Sequence, residues 1–415
     1  MRPSFEVADV FHRHGETYRA AHGAHMGRVE RRIMGAIEAC RTAALGGHVE
    51  ACDNCAHARV AYNSCRNRHC PKCQGLTRAE WLADQQADLL WVPYFHIVFT
   101  LPAEAAAIAF QNKAVVYAML FRAAAETLRS IAADPRHLGA EIGFIAILHT
   151  WGQTLTHHPH LHCVVPGGGL APVHCDEDAR SDDARWRWIA CRPNFFLPVH
   201  VLSRLYRRLF LEQLQAAFDR GQLRFFGDLT RLARHPAFAR HLKRLRKMNW
   251  VVYAKPPFGS PEQVLAYLGR YTHRVAIANS RLVAIDETRV RFRWRDYRQH
   301  NKAPGQQQIG VMALDAHEFI RRFLLHALPD GFHRIRHYGF LANGHRVAKL
   351  ALIRKLLDQS PPEKIRRGGD YRQRLRDLMG IDLGRCPCCG GAMHIIDILP
   401  RPRSPPDPPS GWCKS

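Results

Sequence analysis

Residues 158–162 read His-Pro-His-Leu-His and run directly into the apolar stretch Cys-Val-Val at 163–165. This alternation predicts a β-strand, because successive side chains of a strand point to opposite faces. His158, His160 and His162 then share one face, where two neutral imidazoles can chelate a divalent metal ion. A helical zinc-hydrolase motif would instead place its histidines four residues apart. Because the chain has 26 histidines, chance clustering on a polar strand face is the alternative interpretation.

The sequence around this strand predicts its neighbours. Residues 94–100 read as an earlier strand, and 141–149 read as a buried strand that forms an antiparallel pair with the histidine strand. The loop between the paired strands contains Gln153, which we predict as the third ligand of the metal. An amide is a weak ligand, so His158 and His149 are the alternatives.

The composition predicts a globular protein that binds a polyanion. The chain has 415 residues, 47% of them hydrophobic, and its 60 Lys and Arg against 36 Asp and Glu give a formal net charge of +24. Such a basic balance favours nucleic acid as partner. No stretch reaches the roughly 18 apolar residues of a membrane span. Since the start also lacks the apolar core of a secretory signal, we expect a cytoplasmic protein without membrane contact.

The cysteines predict a structural zinc site. Among 13 cysteines, Cys52 and Cys55 form one Cys-x-x-Cys pair and Cys70 and Cys73 form another. Four thiolates close a tetrahedral coordination sphere, so we predict one structural zinc bound by these four residues. A redox dithiol is the alternative, and a second ion is possible because further candidate ligands lie nearby: Cys40, His48, His57, Cys65 and His69.

A predicted helix downstream carries two tyrosines. Residues 260–262, Ser-Pro-Glu, are typical of a helix start. Tyr267 and Tyr271 then lie one turn apart on the same face. Such a pair often serves packing alone, but a phenol beside a metal site can act as a nucleophile if a cation assists it. The candidate assisting and DNA-binding residues are Arg270, His273 and Arg274.

A hairpin of strands follows, with arms predicted at 275–285 and 288–295. Its second arm alternates basic and apolar residues, which places four arginines on one face. An exposed strand face is the simplest interpretation, but four like charges repel unless a polyanion such as the DNA backbone neutralises them. These candidate DNA-binding residues are Arg289, Arg291, Arg293 and Arg295.

The last third of the chain predicts helices and a single cysteine knuckle. Helices are expected at 315–328 and 345–357, as is an earlier one at 104–132. Residues 386–391, Cys-Pro-Cys-Cys-Gly-Gly, resemble a knuckle whose only candidate partners are His394 and Cys413. The proline-rich stretch 400–409 is too poor in core residues to pack.

Three segments resemble a known family: 62–73 (YNSCRNRHCPKC), 157–162 (HHPHLH) and 267–274 (YLGRYTHR). They are similar to the rolling-circle transposases of bacterial insertion sequences, more narrowly to the family of insertion sequence ninety-one and its common-region relatives. The resemblance implies an α+β fold, with an antiparallel-sheet His-hydrophobic-His endonuclease domain in which His160 and His162 bind Mg²⁺ or Mn²⁺. Tyr267 and Tyr271 match the family's tyrosine pair, and Tyr271 is preferred for the first cut because it lies beside His273 and Arg274.

The resemblance also implies a mechanism and a partner. One tyrosine would cut single-stranded DNA at the element ends or the target and form a 5′-phosphotyrosine bond. That bond conserves the energy needed for rejoining, which agrees with the absence of a Gly-x-x-x-x-Gly-Lys-Ser/Thr phosphate loop. A replication initiator or relaxase with the same chemistry is one alternative. A zinc-dependent DNA-binding regulator without catalysis is another.

The expected organisation has four parts. Residues 1–92 form an N-terminal zinc-binding domain and 93–300 the nuclease domain. Residues 301–380 form a helical basic region, and 381–415 contain the single knuckle and the tail.

Overall fold

The computed structural model describes residues 4–173, 185–255, 257–258, 263–264, 266–267, 269, 275–295, 309–360 and 370–402. Its helices are α1 (Val7–His22), α2 (Arg28–Ala39), α3 (Gln74–Asp88), α4 (Ala103–Gln111), α5 (Lys113–Ala133), α6 (Val199–Asp219), α7 (His235–Lys247), α8 (Ala316–Leu325), α9 (Arg346–Leu356) and α10 (Tyr371–Met379). Its strands are β1 (Gly47–Cys52), β2 (Ala58–Tyr62), β3 (Tyr94–Thr100), β4 (Phe144–Trp151), β5 (His157–Pro166), β6 (Gly168–Pro172), β7 (Trp186–Ala190), β8 (Val252–Lys255), β9 (Leu282–Ile285), β10 (Arg289–Arg295), β11 (Ile309–Asp315), β12 (Ile335–Tyr338) and β13 (Met393–Leu399).

The central sheet has five strands in the order β12-β4-β5-β3-β8, and every neighbouring pair is antiparallel. The predicted strand at 94–100 and the antiparallel pairing of the histidine strand are confirmed. One face of this sheet packs against the helices from α4 to α7. Leu161 and Cys163 of β5 are buried in that core. His160 and His162 alternate with these two residues and therefore face the other side of the sheet. The combination of helices with antiparallel sheet is the expected α+β fold.

The opposite face of the central sheet has an apolar cluster of its own. Val164 of β5 packs there with Tyr267 and with Leu350 and Ile353 of α9. Described residues from 263 to 269 are helical, in agreement with the predicted tyrosine helix. This side of the sheet therefore brings a tyrosine next to the histidine strand.

A second sheet joins the two ends of the described chain. β13 pairs with β1, which pairs in turn with β2, so the order is β13-β1-β2. Residues 393–399, which belong to the part predicted at 381–415, therefore continue the N-terminal sheet, and the division into four parts stays a prediction. Residues 403–415, which include most of the proline-rich stretch and Cys413, lie outside the described residues.

The third sheet, β11-β10-β9, packs against α1, α2 and α8. In β10 the apolar Val290 and Phe292 are buried while Arg289, Arg291 and Arg293 are exposed, as the alternation predicts. Strand β9 begins at Leu282, later than the predicted start of that arm at 275.

Two further predictions need correction. The helix expected at 104–132 is interrupted at Asn112, whose amide side chain donates to the carbonyl oxygens of Ile108 and Arg224. Residues 301–380 include the predicted helices, seen as α8 and α9, but also strands β11 and β12, the latter at the edge of the central sheet. None of the described helices has the length and apolar character needed to cross a membrane.

Candidate active site and metal centres

The histidine site is built by the pairing of β4 with β5. His149 of β4 lies directly opposite His160 of β5, and Ile147 lies opposite His162. Paired residues of an antiparallel ladder share a face and bring their side chains close together. Ligand nitrogens of His149, His160 and His162 accordingly lie within 4.8 Å of one another, which is close enough for one metal ion.

This cluster answers part of the ligand prediction. His160 and His162 come together as expected, and His149 supplies the third imidazole. Gln153 lies in the loop after β4, where its backbone carbonyl oxygen accepts a hydrogen bond from the Arg281 guanidinium at 2.6 Å. Its role as a ligand stays a prediction. His158 is exposed and does not belong to the cluster.

The chemistry of the donor set fits a metal ion. His160 Nδ1 lies 2.6 Å from the backbone oxygen of His158, so this nitrogen donates and Nε2 remains as the ligand. Burial lowers the pKa of His160 to about 4 and that of His162 well below its usual value. Both rings are therefore neutral near pH 7, which is the form that binds metals. An all-imidazole set suits Mn²⁺ better than Mg²⁺, which prefers oxygen ligands.

The Tyr267 hydroxyl lies against the histidine cluster. Its oxygen is 2.6 Å from His96 Nε2 and 2.9 Å from His162 Nδ1, and Tyr267 is 5% exposed. His96 comes from β3, where Val98 pairs with His162, so His96 and His162 are diagonal neighbours on one face. Tyr267 thus contacts a residue of the candidate metal site directly.

His96 is a residue that the sequence analysis missed. It lies in the apolar strand 94–100, where a single histidine resembles an ordinary core residue. Burial, with repulsion from Lys255, lowers the pKa of His96 to about 3, so the imidazole is neutral. Its Nδ1 is buried and has no hydrogen-bond partner within the described part of the chain.

The other residues predicted on the tyrosine helix cannot be located. Tyr271, Arg270, His273 and Arg274 lie outside the described residues. The arginine strand is described: Arg289, Arg291, Arg293 and Arg295 are all exposed on one face of the third sheet. On the same face, Val311 of β11 lies opposite Arg293 and Ile309 lies opposite Arg295, and both apolar side chains are exposed.

Within the described part of the chain, eight cysteines form two clusters of four and not the single cluster predicted. The first consists of Cys40, Cys65, Cys70 and Cys73. Cys40 follows α2 and Cys73 precedes α3, so the cluster closes the connection between these two helices. A hydrogen bond from Cys65, together with one from Cys70, lowers the pKa of Cys40 to about 7. This favours the thiolate form that binds zinc.

The second cluster consists of Cys52, Cys55, Cys386 and Cys389. The prediction that Cys52 and Cys55 share one ion with Cys70 and Cys73 is therefore wrong. The candidate partners His394 and Cys413 of the C-terminal knuckle are also superseded. His394 contacts Asp53 instead, at 2.7 Å, and Cys413 lies outside the described residues.

Two family models match the chain. A model described as "Transposase zinc-binding domain" matches residues 10–101, which contain the whole first cysteine cluster. A model described as "Putative transposase" matches residues 143–349, which contain the three-histidine cluster and Tyr267. The two matches together cover the region where the sequence predicts zinc binding and nuclease chemistry.

Two curated proteins are similar along most of their length. "Putative transposase y4qJ" of Sinorhizobium fredii is 60% identical over 404 residues, which is 97% of this chain and 97% of that protein. The transposase for insertion sequence element IS801 of Pseudomonas savastanoi pv. phaseolicola is 27% identical over 361 residues, which is 86% of this chain and 80% of that protein. No solved structure gives a significant match.

Proposed function

The chain belongs to the insertion-sequence transposases of the insertion sequence ninety-one family, and we propose that it cuts and rejoins single DNA strands through a covalent bond to Tyr267. One observation carries this proposal: the Tyr267 hydroxyl is hydrogen-bonded to His162, which belongs to the three-histidine cluster. A nucleophile that is hydrogen-bonded to a ligand of a candidate metal site can act on the same phosphate as the metal ion.

The proposed metal ligands are His149, His160 and His162. When bound, Mn²⁺ or Mg²⁺ would polarise a non-bridging oxygen of the scissile phosphate as a Lewis acid. His162 Nδ1 faces Tyr267 and His96, which leaves His162 Nε2 as its ligand nitrogen. A ring that binds through Nε2 carries its proton on Nδ1, so His162 donates to the tyrosine oxygen and keeps that oxygen aimed at the cluster.

His96 is the proposed acceptor of the phenolic proton. With His162 donating to the same oxygen, the tyrosine O–H points at His96 Nε2, 2.6 Å away. As the oxygen attacks phosphorus, the Tyr267 Oη–P bond forms and its proton passes to His96, while the bond from phosphorus to the 3′ oxygen breaks and that oxygen takes up a proton from solvent to leave as a hydroxyl. A negatively charged phosphate beside His96 raises the basicity of this imidazole at the moment when the proton is released.

DNA is the proposed partner on three grounds. The family acts on DNA, the net charge is +24, and the four arginines of β10 are exposed among the described residues. Exposed Val311 and Ile309 lie next to these arginines and offer apolar contacts to bases, while the guanidinium groups contact phosphates. Such a mixed surface suits a single strand, whose bases are accessible, and the reaction is proposed to occur on bacterial DNA in the cytoplasm.

The covalent intermediate tests the proposal. The full-length protein is incubated with a labelled single strand from the element end and Mn²⁺, and the products are separated on a denaturing gel. We expect a DNA-linked protein species with the wild type and none with Tyr267→Phe. Tyr253→Phe is the matched control, because this exposed tyrosine of β8 lies on the same sheet outside the hydroxyl contacts of the site.

Two results would contradict the proposal. If Tyr267→Phe still forms the adduct at the wild-type level, another nucleophile makes the first cut. If the wild type binds the strand but forms no adduct with any divalent metal, the non-catalytic zinc-dependent regulator becomes the better interpretation.

A further inference from the structure

The second cysteine cluster takes its members from opposite ends of the chain. Cys52 is the last residue of β1 and Cys55 follows it, whereas Cys386 and Cys389 precede β13, more than 300 residues later. We propose that these four cysteines bind a second structural zinc ion, which fastens the C-terminal segment to the N-terminal zinc-binding domain.

The distances between the sulfur atoms fit one tetrahedral ion. Cys52 and Cys389 are 3.4 Å apart, Cys55 and Cys389 are 3.5 Å apart, and Cys55 and Cys386 are 3.7 Å apart. Four thiolates at the usual Zn–S distance of about 2.3 Å lie about 3.8 Å from one another. A disulfide would need about 2.05 Å. The spacing therefore matches shared coordination and not oxidation.

Backbone amides support the thiolate form of both pairs. Asn54 N donates to Cys52 Sγ, Cys388 N donates to Cys386 Sγ, and Gly391 N donates to Cys389 Sγ, each at 3.4 Å. A hydrogen bond from the amide two residues later stabilises negative charge on the sulfur. Both halves of the site therefore have the local geometry of a metal-binding turn, although they lie far apart in sequence.

The sheet brings the two turns together. β13 pairs antiparallel with β1 so that Cys52 lies opposite Met393, and Asp53 N donates to Ala392 O at 3.1 Å. The strands thus end side by side at the point where the cysteines are needed. Gly390, with a φ of +76°, allows the tight turn that returns the chain from Cys389 to β13.

Two neighbouring groups define a competing ligand set. Cys388 Sγ lies 3.5 Å from His57 Nδ1, and these two residues with Cys386 form a smaller cluster. Four convergent thiols complete a tetrahedral site by themselves, whereas this alternative supplies only three donors. Cys388 is consequently the natural control, since it is as exposed as Cys389 and lies beside it.

The site has a consequence for how the protein is organised. The matched zinc-binding domain, residues 10–101, contains two of the four ligands and is incomplete without Cys386 and Cys389. A crosslink between such distant residues removes more conformational freedom from the unfolded chain than a local one does. The C-terminal segment therefore acts as a part of the N-terminal domain.

The number of zinc ions tests the proposal. Zinc per chain is measured by mass spectrometry of purified full-length protein that carries His160→Ala, so that the histidine cluster does not contribute. We expect two zinc ions per chain in this background, and one after Cys386→Ser/Cys389→Ser is added. The Cys388→Ser control should keep two. A count of one in the background protein, or an unchanged count in the double variant, would overturn the proposal.

A second measurement on the wild type avoids any dependence on variant folding. Iodoacetamide modification is mapped by mass spectrometry before and after treatment with a zinc chelator. We expect Cys388 to react from the start, and Cys389 and Cys386 to react only after chelation, together with Cys52 and Cys55. If Cys389 reacts as quickly as its exposed neighbour Cys388 before chelation, the cluster holds no zinc.

Discussion

The cysteine clusters and the histidine cluster are two different kinds of candidate metal site in one chain. Each cysteine cluster offers four sulfurs, which is a complete tetrahedral set, and each lies where separate segments meet. The histidine cluster offers three imidazoles on one face of the central sheet, with a tyrosine hydroxyl in contact. A closed set can only hold the fold together, whereas a set of three leaves coordination positions for a phosphate oxygen.

The number of donors and their neighbours distinguish function better than the presence of a metal-binding motif does. Both Cys-x-x-Cys and His-x-His are short patterns that hold a metal on one turn or one strand face. The histidine cluster has the Tyr267 hydroxyl in direct contact with one of its members. All three histidines lie on paired strands of the central sheet, whereas seven of the eight clustered cysteines lie outside the helices and strands.

The largest effect is expected from removing one of the proposed ligands in the histidine cluster. His160→Ala should lower the rate of DNA cleavage by about 10³-fold or more, since a Lewis acid supplies several kcal/mol to the transition state. The zinc content of the cysteine clusters and the thermal unfolding should remain close to those of the wild type. Cleavage is measured as adduct formation under single-turnover conditions.

His158→Ala is the control for this prediction. It removes an exposed imidazole from the same strand but keeps the backbone oxygen that accepts from His160 Nδ1. Conversely, Cys65→Ser should lower zinc content and stability first, and activity only as a result. If His160→Ala lost zinc and stability while Cys65→Ser lost only cleavage, the roles assigned to the two kinds of site would be reversed.

Much of the histidine cluster could be predicted from the sequence. The alternation in residues 158–162 shows that His160 and His162 share a face, because strand geometry is local. The third imidazole could not be chosen in the same way. His149 reaches His160 only through the register of β4 with β5, which is irregular between His149 and Trp151. An alternation pattern contains no information on such an irregularity.

The next effect in size concerns the proton of the nucleophile. His96→Gln should lower the cleavage rate by about 10²-fold, the usual contribution of a positioned general base. DNA binding and the number of zinc ions per chain should stay unchanged. An amide at this position can still contact the Tyr267 hydroxyl but cannot accept its proton in the same way. The cleavage rate is measured over a range of pH, since loss of a proton acceptor should make it rise more steeply at high pH.

His337→Gln is the matched control for His96→Gln. His337 is also an imidazole on the central sheet, in β12, and it does not belong to the histidine cluster. Equal losses in both variants would mean that His96 supports the sheet and does not act on Tyr267. Wild-type cleavage by His96→Gln would mean that the phenolic proton leaves by another route.

The membership of the two cysteine clusters was harder to predict than that of the histidine cluster, for a physical reason. Sequence proximity favours Cys52 and Cys55 with Cys70 and Cys73, since fourteen residues separate the two pairs. The actual partners, Cys386 and Cys389, are brought in by the pairing of β1 with β13. Pairing of strands so far apart depends on the rest of the fold, and a pattern of cysteines cannot reveal it.

The smallest effect should come from a charged contact that fastens the same two ends without a metal. Glu50 of β1 is 2% exposed, and its carboxylate accepts from Arg59 at 2.5 Å and from Arg372 of α10 at 2.5 Å. Hydrogen bonds to charged groups contribute about 1.5–3 kcal/mol each. We expect Glu50→Gln to lower the free energy of unfolding by about 2 kcal/mol, because the amide replaces these charged acceptors only in part.

The effect of Glu50→Gln should depend on pH in a defined direction. Burial alone would raise the pKa of Glu50, but the hydrogen bonds from Arg59 and His48 outweigh it and hold the pKa below the usual value of 4.5. A carboxyl whose pKa is lowered by folding stabilises the protein fully above its unfolded pKa. That contribution disappears as the pH falls through the folded pKa. The difference between wild type and variant, measured by urea unfolding, should therefore be present above the usual pKa of a glutamate and shrink as the pH falls below it. The exposed pair of Glu212 with Arg208 supplies the control, since Glu212→Gln should change stability by less than about 0.5 kcal/mol. A Glu50→Gln difference that stayed the same below the folded pKa would show that shape, and not charge, joins α10 to the N-terminal sheet.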